Sequence, residues 1–299
     1  MNETAWQGDL EQTISGYARG QTELQWHGYD LCVFKQSWGE LVIALQGGQV
    51  LLFRPAGEQP LLWLTDQPAA GGAIRGGVPL CWPWFAEPID DASLPKHGVA
   101  RTARWTLECV SMNAEGGCWR LLPPPSLWHG LTLALEVTVE AGALSLALTS
   151  HNLTAQPIAM TQALHSYFAV SDSAQVELQG LDGLPVRDKL QGMQARLHHG
   201  AVMFPEATDV IFGHDSETAV RLIDHGWQRV IGIQKQGSRS TVVWNPGAAA
   251  AEIGDVGIDQ VSRFVCVEAA CTRFYDRPWI DAGETQTLTT SFRVLPYSR

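Results

Sequence analysis

Residues 131–154 read LTLALEVTVEAGALSLALTSHNLT. Leu131, Leu133, Leu135, Val137 and Val139 occupy every second position, and after Ala141-Gly142 the period resumes with Leu144, Leu146 and Leu148. A period of two sends successive side chains to opposite faces of an extended chain. Two such runs separated by a short Gly-containing break form an antiparallel hairpin. A second hairpin is predicted around Gly47-Gly48 in LVIALQGGQVLLF, residues 41–53. Further strand-like runs are PIAMTQALHSYFAV (157–170), AQVELQG (174–180), STVVWNP (240–246), RFVCVEAA (263–270) and QTLTTSFRVL (286–295), spaced by Gly, Pro, Asp and Asn. No helix of convincing length lies between them. Hairpin-spaced strands over nearly 300 residues predict an all-β protein, a large antiparallel sandwich whose cleft is walled by loops and by the concave face of one sheet. One domain over residues 1–299 is expected. Residues 1–20 form an N-terminal extension that could hold a turn or short helix, and its structure is left open.

Composition agrees and narrows the function. A chain of 299 residues sits near the upper size for one core. Its 29 glycines, 16 prolines and 12 tryptophans favour turns and broad apolar surfaces over helix. The net charge of −11 argues against a nucleic-acid partner, because phosphate-backbone affinity needs an excess of Lys and Arg along one face. The six cysteines lack CxxC spacing, which removes zinc-finger and dithiol-redox readings. The N-terminal residues show no basic region followed by an apolar run, and no stretch of ~18 apolar residues occurs. A soluble, cytoplasmic protein without a membrane partner is expected. There is no GxGxxG, P-loop, GxSxG or HExxH motif, and His198-His199 lacks a third ligand at sensible spacing. No cofactor and no metal are expected, and the protein is expected to be a monomer.

The segment from Ile74 to Trp105, IRGGVPLCWPWFAEPIDDASLPKHGVARTARW, cannot be a helix, because Pro79, Pro83, Pro88 and Pro95 remove donors and Gly76-Gly77 frees the chain to turn. It offers the flat faces of Trp82, Trp84 and Phe85 beside the cations Arg75, Lys96, Arg101 and Arg104 and the ring of His97. A phosphorylated sugar needs both kinds of group. Alternation puts Ala163, His165 and Tyr167 on one face of ALHSYFAV, and Phe264, Cys266 and Glu268 on one face of RFVCVEAA. Taken alone, His165 reads equally as a hydrogen-bonded core residue, Glu268 as an ion-pair partner of Arg263 or Arg273, and Asp209 as a strand-end turn residue.

With these segments in hand, the sequence resembles the hexose-6-phosphate mutarotase (D-glucose-6-phosphate 1-epimerase) branch of the aldose 1-epimerase family. The matching pieces are IRGGVPLCWPWF at 74–85, LPKHGVAR at 94–101, LHSYF at 164–168, EATDVIF at 206–212 and FVCVEAA at 264–270, in order across most of the chain. The resemblance implies a galactose-mutarotase-like supersandwich and an isomerase that interconverts the α and β anomers of a phosphorylated aldohexose, glucose 6-phosphate foremost, without metal or nucleotide. It places the catalytic acid on His165 and the base on Glu268, the sugar-binding carboxylate on Asp209, and further ligand contacts on Arg75, Trp82, His97 and Arg101. Such a cycle expects Glu268 ionised and His165 protonated when substrate arrives, and a bell-shaped pH profile. The alternatives are a mutarotase of neutral hexoses and a noncatalytic carbohydrate-binding protein on the same sandwich. A glycoside hydrolase would need a second flanking carboxylate, for which only Asp209 is a candidate.

Overall fold

The computed structural model describes residues 8–88, 91–215, 217–276 and 279–297. The hairpin at 131–154 forms as its alternation requires: strands Leu131–Glu140 and Ala143–Asn152 pair in register with Val137 opposite Leu146. Ala141 and Gly142 both take positive φ, 48° and 75°, the two-residue turn whose twist matches a β-ribbon. This hairpin lies within a nine-stranded sheet in the order Val202–Met203, Val176–Gln179, Thr218–Asp224, Arg229–Gln236, Thr285–Leu295, Ala143–Asn152, Leu131–Glu140, Gly116–Leu122, Thr106–Met112.

An eight-stranded antiparallel sheet packs against it. Its order is Ala195–Leu197, Pro185–Asp188, Thr208–Gly213, Ser240–Asn245, Phe264–Cys271, Gln162–Leu164, Leu80–Cys81, with Tyr167–Ala169 also pairing Phe264–Cys271. One apolar cluster joins the facing sides: Leu135, Leu146, Leu148, Ile231, Leu288 and Phe292 from the first sheet, and Leu164, Phe168, Phe212, Val243, Val265 and Val267 from the second. A four-stranded meander, Gly20–Trp26 through Gln49–Pro55, adds Phe34, Leu41, Ile43 and Phe53 to the same core. The fold is therefore the expected antiparallel β-sandwich.

The segment left open at the N-terminus contains the α-helix Asp9–Ser15, which buries Leu10 and Ile14 against the meander, and the next strand starts at Gly20. Residues 1–7 of that extension lie outside the described residues. Among the described residues no helix is long and apolar enough to cross a membrane. The run 157–170 is not one strand. Ile158–Ala159 pairs with Trp279–Ile280 in a separate ribbon, and Gln162–Leu164 and Tyr167–Ala169 follow as two short pieces. The break at His165-Ser166 is a tight local turn in which the Ser166 N–H donates to the Leu164 carbonyl at 3.0 Å.

Candidate active site

The eight-stranded sheet uses its two faces differently. Along Phe264–Cys271, Val265, Val267, Ala269 and Cys271 point into the inter-sheet core, which by the period of two leaves Phe264, Cys266, Glu268 and Ala270 on the outer face. The neighbouring strands follow suit: Asp209, Val242, Trp244 and Tyr167 share that outer face while Val210, Val243 and Phe168 face the core. The register brings the two titrating candidates together. Leu164 stands opposite Ala269 and Tyr167 opposite Cys266, so His165 stands opposite Glu268 on the adjacent strand. Their side chains meet at 3.4 Å, from His165 Nε2 to Glu268 Oε1.

Loops close this face into a cavity of about 420 Å³, small for a ligand site and of a size for one sugar ring with a substituent. Gly76-Gly77 brings in the first loop. Gly77 has φ of +59°, and a Cβ there would lie 2.1 Å from the Val50 carbonyl, so only glycine lets the chain pass so close to the meander and leave Arg75 at the cavity. The Arg75 Nε donates to Asp255 at 2.7 Å and one Nη to the Tyr167 hydroxyl at 3.3 Å. His97 lines the cavity with its Nδ1 accepting the Ala86 N–H at 3.2 Å, which leaves Nε2 carrying the ring proton. Burial, reinforced by Arg101 and Lys96, pushes its pKa down to about 3, so His97 is a neutral donor.

Arg101 lines the same wall, one Nη donating to the Lys96 carbonyl at 2.6 Å, and among the described residues no carboxylate pairs with it. Lys189, on a 3₁₀ turn, pairs with Asp209 at 2.9 Å. Burial raises the Asp209 carboxyl against the pull of that ammonium.

Glu268 is buried, 1% exposed, and His165 is nearly so, its side chain 13% exposed. Burial pushes the Glu268 carboxyl well above the ordinary range, opposed by Lys189 and helped by Asp209. Burial also holds His165 well below the ordinary imidazole range, with His97, Arg75 and Arg101 acting in the same direction. Both shifts act toward a neutral pair, a protonated carboxyl beside an uncharged ring. It holds the same number of protons as an ionised Glu268 beside a charged His165, so the two forms differ only by a proton shift across the 3.4 Å contact. Glu268 Oε2 and His165 Nδ1 are buried and bonded to no other side chain.

Of the residues expected at the site, His165, Glu268, Arg75, His97, Arg101 and Asp209 line this one cavity. Trp82 does not. It is fully buried in the inter-sheet core with its indole N–H donating to Ser150 Oγ at 2.9 Å, because alternation puts Leu80 and Trp82 on the core side of the edge strand Leu80–Cys81 and Cys81 on the outer side. Arg104 is also absent, being paired with Asp30 on the exterior. Trp244, Tyr167, Lys189 and Asp255 are cavity residues not singled out from sequence. Strand alternation from Val242 and His165 signals the first two, whereas Lys189 and Asp255 sit on turns with no local signature. Among the described residues no cluster of three or more His, Cys, Asp or Glu side chains could hold a metal ion.

A family model described as aldose 1-epimerase matches residues 32–293. The chain belongs to the aldose 1-epimerase family. Within it, the chain is 35% identical over 269 residues to an Escherichia coli K12 protein named "Putative glucose-6-phosphate 1-epimerase", a match covering 87% of this chain and 86% of that one. A Salmonella typhimurium crystal structure named as a "putative mutarotase" superposes with a TM-score of 0.85 at 28% identity, covering 96% of this chain and 99% of that one. A galactose mutarotase-like protein from Clostridium acetobutylicum shares the fold alone, with a TM-score of 0.71 at 12% identity over 93% and 99% of the two chains. The protein is accordingly an isomerase of the aldose 1-epimerase type on a galactose-mutarotase-like sandwich.

Proposed function

We propose that this aldose 1-epimerase interconverts the α and β anomers of a phosphorylated aldohexose, glucose 6-phosphate foremost, with Glu268 as base and His165 as acid. The observation that carries the reading is the 3.4 Å contact of these two groups in a cavity whose wall also bears Arg75, Lys96, Arg101 and Lys189. On binding, the sugar engages the pair, and the proton shifts to leave Glu268 ionised and His165 charged. Glu268 removes the proton from the C1 hydroxyl while His165 delivers one to the ring oxygen, and the bond from C1 to that oxygen breaks to give the open aldehyde. Rotation about C1–C2 presents the other carbonyl face. In closure the two transfers reverse, so neither proton is lost to solvent.

Ring opening discharges the pair, turning carboxylate and imidazolium into carboxyl and imidazole. A dry pocket favours that loss of charge, so burial assists the step itself. General acid and base contributions of ~10² to 10⁴ each would lower the barrier by ~5 to 11 kcal/mol. The phosphate falls to the cationic wall, where Arg101 has a fork free of any described carboxylate. The name carried by the Escherichia coli relative supports this substrate.

The test is NMR exchange spectroscopy on the anomers of glucose 6-phosphate and of glucose, with wild type and Arg101→Ala. Exchange well above the solvent rate is expected for the phosphosugar, with KM for it alone raised in the variant. Equal turnover of glucose, unaffected by the substitution, would assign a neutral-hexose mutarotase. Binding with exchange only at the solvent rate would assign a carbohydrate-binding protein.

A further inference from the structure

A histidine that must transfer a proton through one nitrogen is ordinarily oriented by a hydrogen bond to the other. His165 has no such bond to another residue: Nε2 faces Glu268, and the buried Nδ1 has only the residue's own backbone beside it. Its backbone N–H is fixed to the Pro79 carbonyl at 3.0 Å, which holds the chain but leaves rotation of the ring undetermined. Something else must set the imidazole plane. Tyr167, two residues on and on the same face of the sheet, lies parallel to it, with ring centroids 4.8 Å apart and planes 9° from coplanar. His97 and Trp244 close the clamp edge-on at 5.8 and 6.1 Å. Tyr167 is itself immobile: it stacks on Trp63 at 5.8 Å, packs on Phe264 at 5.3 Å, and its hydroxyl accepts from Arg75, which Asp255 holds in turn.

We propose that Tyr167 is a positioning residue that fixes the His165 ring plane by stacking, in place of the missing Nδ1 hydrogen bond, and so aims Nε2 at Glu268 and at the reacting sugar oxygen. The inference rests on the assignment of His165 as the acid. Two contributions separate within the one side chain. The ring sets the plane of the imidazole, and its electron-rich face favours the imidazolium formed during turnover. The hydroxyl serves Arg75. The charged or titratable groups facing His165 are Glu268 from the adjacent strand, His97 and Arg101 from the loop before it, and Arg75 from the cavity mouth. Of these, Glu268 alone can counter an imidazolium, and it does so only when ionised.

Tyr167→Leu and Tyr167→Phe divide the two roles. Tyr167→Leu removes the stack and is expected to lower kcat by ~10- to 100-fold, as for a reacting group displaced by a fraction of an ångström to an ångström. Tyr167→Phe restores the ring, and is expected to recover kcat to within about threefold while KM for the phosphosugar rises through Arg75. A second readout needs no activity: the His165 ring resonances in ¹⁵N-histidine-labelled protein should titrate at lower pH in Tyr167→Leu than in wild type, and as in wild type in Tyr167→Phe. A folded Tyr167→Leu protein with wild-type kcat and wild-type His165 titration would overturn the proposal. So would a Tyr167→Phe variant as damaged in kcat as Tyr167→Leu, which would assign the effect to the hydroxyl. If wild type does not accelerate exchange at all, the proposed activity fails, and the titration still decides whether Tyr167 governs His165.

Discussion

Glu268→Gln is expected to act in opposite directions on activity and stability. The substitution keeps shape and volume and removes the ability to ionise. Loss of a general base costs ~10² to 10⁴ in rate, or ~3 to 5 kcal/mol of barrier at 1.36 kcal/mol per decade. Stability should move the other way. Glu268 is 1% exposed, Oε2 is unpartnered, and burial raises its pKa well above the ordinary 4.5. Between 4.5 and the raised folded value the native state holds a proton that the unfolded chain has released, so stability falls as pH rises through that window. Glutamine has no such dependence. Each pKa unit corresponds to ~1.4 kcal/mol, and a chain this large shifts in Tm by ~1.5 to 2 °C per kcal/mol. Melting wild type and variant side by side at pH 8 and pH 4 should show the variant more stable at pH 8, with the gap closing at pH 4. Anomer exchange measured on the same samples should be lost. A variant less stable than wild type at pH 8 would refute the account of burial, and one with undiminished exchange would remove Glu268 as the base.

Other substitutions probe the rest of the molecule. Lys189→Met removes the ammonium that holds Glu268 and Asp209 down. Because Lys189 opposes the upward shift of Glu268, the limb of the kcat/KM profile that reports loss of the Glu268 proton should move to higher pH; an unmoved limb would dissociate Lys189 from the pair. Trp82→Phe should leave KM within twofold and destabilise by ~1 to 3 kcal/mol, through lost core volume and an orphaned Ser150 hydroxyl. Urea denaturation and steady-state kinetics decide it, and a large rise in KM would return Trp82 to the binding site. Gly77→Ala should unfold at markedly lower denaturant concentration, since the added Cβ meets the Val50 carbonyl at 2.1 Å. An unchanged midpoint would show that the meander yields there.

The sandwich was legible because the period-two pattern at 131–154 has no competing reading, and the resulting pair of strands lies inside the nine-stranded sheet. The same period placed the candidate pair. His165 with Tyr167, and Glu268 with Cys266, fall on the faces that alternation assigned them. What alternation cannot supply is register, and it is register that sets His165 opposite Glu268 across about a hundred residues of chain. The charge states differ from expectation for a similar reason. A carboxylate and an imidazolium are what the proposed cycle requires, yet the burial that shifts both groups toward their neutral forms depends on loops closing over the sheet. Trp82 failed as a ligand contact because an aromatic between prolines reads alike whether it plugs the core or lines a cleft. Lys189 and Asp255 reach the cavity from turns whose course no short pattern fixes.

The placement of His165 and Glu268 on neighbouring strands has a consequence for how such an enzyme can change. The spacing between the proposed proton donor and acceptor is inherited from the repeat of the β-ladder, ~4.8 Å from strand to strand, and insertions or deletions in surface loops leave it alone. The groups that would distinguish one sugar from another, Arg75, His97, Arg101, Lys189 and Asp255, hang from loops and turns around that fixed point. Substrate preference can therefore drift by loop replacement while the ring-opening step persists.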